Sequence, residues 1–268
     1  MQAPRLIASD VDGTLLDPAD RVPPRAVAAI ARLRASGVAF VLVTGRPPRW
    51  IPPVYDLLGE PGLAVCANGA VLYDAMADRV LGATTLDVPT LTDLVAAVGA
   101  ALPDAGLAVE HVGERAADDT FVADAAYRHA WEGFDSVAIV DRADLLERPA
   151  VKLLVRNVGL DSAAMAAALA PAVGDAADVT WSHPGGLIEM ASPGITKAVG
   201  LAEVADRLGI AAADVLAFGD MPNDLEMLRW AGHGVAMGNA HPALKSVADE
   251  VTAGNAEDGV AEILERWF

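Results

Sequence analysis

The sequence predicts a protein of the α/β class, with a parallel-sheet core and a second α/β domain inserted into it. At both ends of the chain, short apolar runs typical of buried strands alternate with helix-length segments, an order that joins parallel strands through crossover helices. The middle of the chain has its own alternation of strand-like runs and Ala-rich helical segments. The length of 268 residues is sufficient for one large core, or for one core with a smaller insert.

The first strand–helix–strand unit follows from local signals. Leu6–Ser9 is predicted to be a buried strand. Pro24 suits the first turn of a helix, which is predicted to run to about Ala35 and to stop at Gly37. Val38–Val43 is the next apolar run and is predicted to be a second buried strand.

The C-terminal part of the chain repeats this alternation. Its predicted elements are a helix at about Thr196–Leu208, a strand at Val215–Phe218, a helix from about Asn223, a strand near Val235 and a final helix at about Gly259–Phe268. These segments complete the predicted core.

The insert is predicted to cover residues 84–187, which leaves residues 1–83 and 188–268 for the core. Turn residues gather at both boundaries, around Gly82 and again at 184–186. Within the insert, strands are predicted at about Leu107–His111, Val137–Asp141 and Val151–Arg156, with helices near Leu91 and Met165.

Composition narrows the classes of partner. The formal net charge of −18 argues against a nucleic-acid partner, since binding a phosphate backbone requires a basic surface. The longest uncharged stretches are about a dozen residues, shorter than the roughly 20 that a membrane-spanning helix needs, so no membrane partner is expected.

With the single cysteine Cys66 and no export signal recognised, we expect a cytoplasmic protein. No apolar stripe predicts an oligomeric interface.

The strongest chemical signal is the segment Asp10–Leu16, which follows the first predicted strand. Ligands of open α/β sheets bind outside the carboxyl ends of the strands. The neighbouring carboxylates of Asp10 and Asp12 repel each other unless a cation or a proton compensates them, so a bound metal ion is the simplest interpretation. Oxygen ligands favour Mg²⁺.

These two carboxylates also suit phosphoryl transfer. Asp10 is predicted to attack phosphorus and form an acyl phosphate, and Asp12 is predicted to act as general acid and base on the leaving oxygen. Gly13 would allow both side chains to turn toward one point. The alternative interpretation is an Asp-Gly turn with solvated carboxylates.

A second signal follows the second predicted strand. Thr44 could donate its hydroxyl to a phosphate oxygen, and Gly45 would allow a backbone amide to approach closely. Arg46 could instead be a solvated surface charge. A simple turn without function remains the alternative for this segment.

The third signal is Lys197, one of only three lysines in the chain, near the start of a predicted helix. A cation at a helix N-terminus opposes the macrodipole, so its position suggests an anionic partner. We expect Lys197 to neutralise both the substrate phosphate and Asp10. The alternative is a surface lysine.

The fourth signal, Gly219–Asp224, follows the predicted strand Val215–Phe218. Asp220 is predicted to coordinate the metal directly, and Asp224 to hold water or a ligand in place around it. Asn223 is predicted to contact a phosphate oxygen, with helix capping as a rival role for Asn223 and Asp224.

Taken together, these four segments resemble the motifs of the haloacid dehalogenase superfamily of phosphatases, closest to its Cof-type (cap type IIB) branch. The likeness covers the whole chain and includes Ala67–Ala70 and Asn255–Val260. The superfamily's dehalogenases lack the second acid, whereas this chain has Asp12. Ala198 stands where the branch often has Gly.

The resemblance implies a Rossmann-like core with an inserted α/β cap that determines substrate choice. It also implies Mg²⁺ held by Asp10, the backbone carbonyl of Asp12 and Asp220. Phosphate contacts are implied for Thr44, Gly45, Lys197 and Asn223. Candidate specificity residues in the insert are His111, Arg115, Tyr127, Arg128, His129, Trp131 and His183.

The leading functional hypothesis is therefore Mg²⁺-dependent hydrolysis of a small phosphorylated metabolite, such as a sugar phosphate or a phosphorylated cofactor, through a phosphorylated Asp10. A phosphomutase or phosphotransferase could use the same intermediate and discharge it to a hydroxyl group. A non-catalytic protein that binds a sugar phosphate is the third hypothesis, but such a protein would not need both Asp10 and Asp12.

Overall fold

The computed structural model of the protein describes residues 3–128 and 137–268, and the chain divides into two compact units. The first unit comprises Met1–Gly82 and Thr196–Phe268, and the second is Ala83–Ile195. Two of the candidate specificity residues, His129 and Trp131, lie outside the described residues.

The first unit is built on an eight-stranded sheet. Its strands, in spatial order, are Glu250–Val251, His233–Ala236, Val215–Gly219, Leu6–Ser9, Ala39–Val43, Leu63–Cys66, Val71–Asp74 and Arg79–Ala83. The first six run parallel, and Val71–Asp74 pairs antiparallel with Leu63–Cys66. The predicted α/β class with a parallel core is confirmed.

The helices of the first unit lie between its parallel strands along the chain, apart from Gly259–Leu264, which follows the last strand. They are Pro24–Ala35, Pro52–Leu58, Lys197–Leu208, Leu225–Trp230, Pro242–Lys245 and Gly259–Leu264. Lys197–Leu208 begins where the Thr196 hydroxyl accepts a hydrogen bond from the Val199 N–H, and it ends at Gly209 in the left-handed conformation. Helices and strands therefore alternate as the apolar pattern predicts.

The second unit has a six-stranded sheet with helices Val88–Ala101 and Ser162–Val173. The strands, in spatial order, are Asp178–Thr180, Leu187–Ala191, Lys152–Arg156, Gly106–His111, Thr120–Ala123 and Ala138–Ile139. All neighbours pair antiparallel except the last two strands, which are parallel. Aspartate side chains cap both helices, since Asp87 accepts from the Thr90 N–H and Asp161 from the Ala164 N–H.

The second unit ends at Ile195, not at residue 187 as expected from the sequence. Leu187–Ala191 pairs with both Lys152–Arg156 and Asp178–Thr180, so it is an interior strand of the second sheet. The turn residues at 184–186 mark the start of this strand and not the return to the core.

Within residues 3–128 and 137–268, every helix is too short or too polar to cross a lipid bilayer.

Candidate active site

Four chain segments reach one edge of the first sheet because parallel strands end on the same side. Asp10 follows Leu6–Ser9, Thr44 follows Ala39–Val43, and Asp220 follows Val215–Gly219. The fourth segment, at Asn68, follows Leu63–Cys66. The Asn68 N–H donates to the Thr44 carbonyl oxygen at 3.0 Å, and the Asp10 N–H donates to the Phe218 carbonyl oxygen at 3.0 Å, which links neighbouring segments through the backbone.

Gly13 allows the turn after Asp10 to approach Asp220. Its φ of +75° lies in the left-handed region, and a Cβ atom placed on it would be 2.2 Å from Asp220 Oδ2. A larger residue would therefore meet both backbone strain and a direct clash with a carboxylate. The absence of a side chain at Gly13 therefore lets this turn lie directly against Asp220.

Lys197 is completely buried and contacts two carboxylates. Its Nζ donates to Asp10 Oδ1 and to Asp224 Oδ1, both at 2.6 Å. Burial alone would lower the pKa of Lys197, but Asp10 and Asp224 outweigh it and raise the pKa above its usual value. The surface-lysine interpretation is thus wrong, and Lys197 lies beside Asp10 as expected.

A close approach of backbone segments sets the position of Lys197. Gly69 lies so near the start of the helix that a Cβ atom on it would be 2.0 Å from the Thr196 carbonyl oxygen. One helical turn further on, a Cβ atom on Gly200 would be 2.4 Å from Val65 Cγ1. These two glycines let the helix start pack directly on the end of the strand Leu63–Cys66.

Both carboxylate oxygens of Asp224 are used within the protein. Oδ1 accepts from Lys197 at 2.6 Å, and Oδ2 accepts from the backbone N–H groups of Asp220 and Met221, both at 3.0 Å. Asp224 therefore orients the Asp220 backbone and Lys197 at the same time.

Asp10, Asp220 and Asp224 form a buried acidic cluster whose ligand atoms lie within 4.8 Å of one another. Burial raises the pKa of Asp10 to about 7, although Lys197 acts in the opposite direction. Burial, reinforced by Asp10 and Asp224, raises the pKa of Asp220 to about 9, while the Thr14 hydroxyl donates to Asp220 Oδ1 at 3.3 Å. Without a further cation, this cluster thus favours bound protons.

The cluster suits a divalent cation. Within the described part of the chain, Lys197 is the cation in direct contact with Asp10 and Asp224, so two negative charges of the cluster are left to be compensated when all three carboxylates are ionised. The donor atoms are all oxygens, which matches a hard cation. Because Asp224 uses both oxygens for other bonds, Asp10 and Asp220 are the carboxylates best placed to bind it.

Arg46 contacts the second acid of the Asp10–Leu16 segment. Its Nε donates to Asp12 Oδ2 at 2.9 Å and its NH2 group donates to Asp12 Oδ1 at 2.5 Å. The Asp12 side chain is 51% exposed, whereas that of Arg46 is 13% exposed. Arg46 is thus not a solvated surface charge, and it holds Asp12 through a two-pronged contact.

Thr44 and Gly45 lie at the end of the neighbouring strand. Thr44 is fully buried, and its Oγ1 accepts from the Arg46 N–H at 3.1 Å. The hydroxyl can donate its own proton to another group. Gly45 follows directly and is partly buried.

Asn223 pairs with Asn68, a residue to which sequence reasoning assigned no role. Asn223 Nδ2 donates to Asn68 Oδ1 at 3.1 Å, and Asn223 Oδ1 is buried with no hydrogen-bond partner in residues 3–128 and 137–268. Ala67 and Asn68 both have positive φ, at 51° and 58°, an arrangement that costs free energy and concentrates at functional sites. The Asn-Gly dipeptide after an apolar run was the available signal for this turn.

The candidate residues of the second unit that can be described are engaged in local structure or are exposed. His111 Nδ1 lies 2.9 Å from the Pro149 carbonyl oxygen, and His183 Nδ1 accepts from the Gly185 N–H. The Arg115 N–H donates to Asp118, and Arg128 donates to the Ala125 carbonyl oxygen. Tyr127 is buried, with its ring packed edge-on against Phe121.

Comparisons with known proteins agree on one class of enzyme. Residues 7–264 match the family of haloacid dehalogenase-like hydrolases. The chain is 32% identical over 276 aligned residues to the 5-amino-6-(5-phospho-D-ribitylamino)uracil phosphatase YitU of Bacillus subtilis strain 168, covering 99% of this chain and 98% of that one. It is 30% identical to the pyridoxal phosphate phosphatase YbhA of Escherichia coli K12, with 97% of each chain covered.

Among solved structures, the chain resembles the haloacid dehalogenase subclass IIB sugar phosphatase BT4131. The TM-score is 0.84 at 21% identity, with 98% of each chain covered. This likeness extends over both units and concerns the fold.

Proposed function

The chain belongs to the haloacid dehalogenase-like hydrolase family, and we propose that it hydrolyses a small phosphorylated metabolite with Mg²⁺ through a phosphorylated Asp10. The family assignment confirms the resemblance read from the four motifs, and the enzyme is a phosphatase. The observation that carries the proposal is the buried contact of Lys197 Nζ with Asp10 Oδ1 at 2.6 Å, beside Asp220.

In the first step, an Asp10 carboxylate oxygen attacks phosphorus while the bond from phosphorus to the leaving oxygen breaks. Asp12 donates a proton to that oxygen, so the leaving group departs as a neutral alcohol. Each Asp12 oxygen accepts one hydrogen bond from Arg46 in this structure, and each keeps a second lone pair that can exchange the proton.

In the second step, a water oxygen attacks the phosphorus of the acyl phosphate. Asp12 accepts a proton from that water, the bond between phosphorus and Asp10 breaks, and inorganic phosphate is released. Asp10 is then free for another cycle. Lys197 compensates negative charge on Asp10 and on the phosphate throughout.

The proposed metal ligands are the Asp10 and Asp220 carboxylates and the Asp12 backbone carbonyl. Bound Mg²⁺ would neutralise charge on the phosphoryl group and polarise its oxygens. Asp224 orients the Asp220 backbone and Lys197 through the hydrogen bonds described above.

The proposed phosphate contacts are the Thr44 hydroxyl, the Gly45 backbone N–H, Lys197 and the Asn223 amide. Amide oxygen and nitrogen atoms are assigned from their hydrogen bonds, and Asn223 has one buried amide atom without a partner in the described chain. We propose that Asn223 faces phosphate through the second N–H of its Nδ2, since the first is donated to Asn68 Oδ1.

The substrate is proposed to be a phosphate monoester of a small metabolite, such as a sugar phosphate or a phosphorylated cofactor. The names of the two relatives support this class, since one acts on a phosphorylated ribitylaminouracil and the other on pyridoxal phosphate. We further propose that the second unit, Ala83–Ile195, sets the choice among such substrates.

The test is phosphate release from a panel of sugar phosphates, nucleotides and phosphorylated cofactors, with and without Mg²⁺. Asp10→Asn should abolish Mg²⁺-dependent release because it removes the nucleophile with little change in shape. Asp20→Asn is the matched control, because Asp20 is exposed and has a φ of 56°, which asparagine tolerates.

Residual activity of Asp10→Asn above a few per cent of the wild-type rate would refute the assigned nucleophile. An isomeric phosphate product with little free phosphate would instead establish a phosphomutase that uses the same residue.

A further inference from the structure

Two asparagine side chains hold the turn that carries Asp12 and Gly13. Asn239 Nδ2 donates to the Gly13 carbonyl oxygen at 2.8 Å, and Asn255 Nδ2 donates to the Leu16 carbonyl oxygen at 2.7 Å. The Asn255 N–H donates to Asn239 Oδ1 at 3.0 Å, which joins the two. We call Asn239 and Asn255 the asparagine brace.

The turn needs partners from elsewhere in the chain. Asp12 (φ −79°, ψ 124°) and Gly13 (φ +75°, ψ −3°) depart from helical geometry, so regular hydrogen bonds do not hold their backbone. The Leu16 N–H bonds to the Val11 carbonyl oxygen at 2.9 Å, and the carbonyls of Gly13 and Leu16 accept from the brace. The brace therefore supplies the two side-chain donors that these carbonyls use.

Gly13 lies between the brace and Asp220. Its carbonyl oxygen accepts from Asn239, and the position of a Cβ atom on it would be 2.2 Å from Asp220 Oδ2. The Asp12 carbonyl belongs to the peptide directly before the one that Asn239 holds, so a displacement of Gly13 would be passed on to the Asp12 carbonyl and change its distance to the Asp220 carboxylate. Both of these groups are proposed metal ligands.

We propose that the asparagine brace positions the Asp12 carbonyl relative to Asp220 and thereby determines the affinity of the site for Mg²⁺. The brace residues are positioning residues, since neither is among the proposed ligands. This inference rests on the proposed function, because it takes the metal ligands from it. Asn239 is exposed and Asn255 is half-buried, so truncating them should disturb the turn more than the stability of the fold.

The test compares Mg²⁺ affinity, measured by isothermal titration calorimetry, in wild type and in the Asn239→Ala/Asn255→Ala double variant. Hydrogen bonds that orient ligands are typically worth about 10- to 100-fold in metal affinity, and we expect about tenfold weaker binding. The rise in Tm that Mg²⁺ produces should shrink in parallel, while the Tm of the metal-free protein should change little.

The control is Asn157→Ala, which makes the same truncation in the second unit, where Asn157 Oδ1 accepts from the Gly159 N–H at 2.8 Å. It should bind Mg²⁺ as wild type does. None of these variants changes the net charge, so altered affinity cannot come from long-range electrostatics. If the double variant does not fold, Asn255→Ala alone is measured and should weaken Mg²⁺ binding in the same direction.

Mg²⁺ affinity within twofold of wild type would overturn the inference, and so would a lowered Tm of the metal-free variant with unchanged Mg²⁺ affinity. Wild-type protein that binds Mg²⁺ but releases no phosphate from any substrate would refute the proposed function. The effect of the brace on affinity would still be measured in that case.

Discussion

Asp10 and Asp12 lie in different environments although they are two positions apart. Asp10 is buried beside Lys197, whereas the Asp12 side chain is 51% exposed and held by Arg46. Two carboxylates that are two positions apart thus have separate environments, as suits a nucleophile and a proton-transfer group. The separation comes from partners that are remote in sequence.

Asp12→Asn should lower kcat by about 10²- to 10⁴-fold, the usual contribution of general acid–base catalysis. The asparagine keeps the size of the side chain and an oxygen for Arg46 but cannot transfer the proton. Steady-state rates with a substrate of the panel measure the effect. An unchanged kcat would mean that another group carries the proton.

Lys197→Ala should weaken both phosphate binding and folding. The substitution leaves the buried carboxylates of Asp10 and Asp224 without their ammonium partner, a change that typically costs about 3–5 kcal/mol for a buried ion pair. The inhibition constant for inorganic phosphate should rise, and the Tm should fall. Lys245→Ala is the control, since Lys245 is half-buried and donates to the Gly238 carbonyl oxygen. Equal changes in the inhibition constant for phosphate in the two variants would show that Lys197 does not bind phosphate.

At the scale of elements, the turn after the first strand depends on the absence of a side chain at Gly13. Gly13→Ala should abolish Mg²⁺-dependent activity and weaken Mg²⁺ binding, because its Cβ atom would displace Asp220. Gly37→Ala is a matched control: Gly37 has a φ of +78° and no atom within 4 Å of the Cβ position.

Both variants therefore carry backbone strain, of about 1–2 kcal/mol per residue in the left-handed region, and only one carries the clash. Activity assays and calorimetric Mg²⁺ titration of both variants separate the effect of strain from the effect of the clash. Similar losses of Mg²⁺ affinity in Gly13→Ala and Gly37→Ala would show that strain alone, and not contact with Asp220, explains the result.

For the whole molecule, the acidic cluster predicts how stability depends on pH. In the metal-free protein the pKa values of Asp10 and Asp220 are raised to about 7 and about 9, whereas an unfolded aspartate has a pKa of about 3.9. Between about pH 4 and pH 9, the folded state therefore binds more protons at these two carboxyl groups than the unfolded state does. The contribution of these two groups to stability is therefore fully present below the unfolded pKa and is lost as pH rises toward about 9.

The Tm of the metal-free protein should accordingly fall between about pH 5 and pH 9, and Mg²⁺ should raise it most at the alkaline end, where the ligands are deprotonated. Thermal unfolding at several pH values, with EDTA or with Mg²⁺, measures both trends. Asp220→Asn is the comparison, because it removes one of the two titrating carboxyl groups. If Tm fell equally steeply with pH in that variant and in wild type, Asp220 would not be the source of the pH dependence.

Local sequence was enough to place the chemistry on the fold. Apolar runs mark the strands before Asp10, Thr44 and Asp220, and parallel strands joined by helices must end on one edge of the sheet. The α/β class follows from this pattern, the family follows from the resemblance of the four motifs, and the structure brings Asp10, Lys197 and Asp220 together as the sequence predicts.

Short strands without strong periodicity were less predictable. Asp178–Thr180 and Leu187–Ala191 are held by antiparallel pairing within the second unit, and their own residues carry no comparable signal. The end of that unit at Ile195 depends on this pairing and not on the turn residues nearby.

The amino-acid sequence by itself determined which side chains follow each strand, because strand ends are set by local patterns of apolar and turn residues. Only the tertiary structure decided which of them touch. Arg46 on Asp12, Asn68 on Asn223, Gly13 against Asp220 and the asparagine brace on the Gly13 turn all join segments that are distant along the chain. Such contacts arise from how strands and helices pack, which no local pattern encodes.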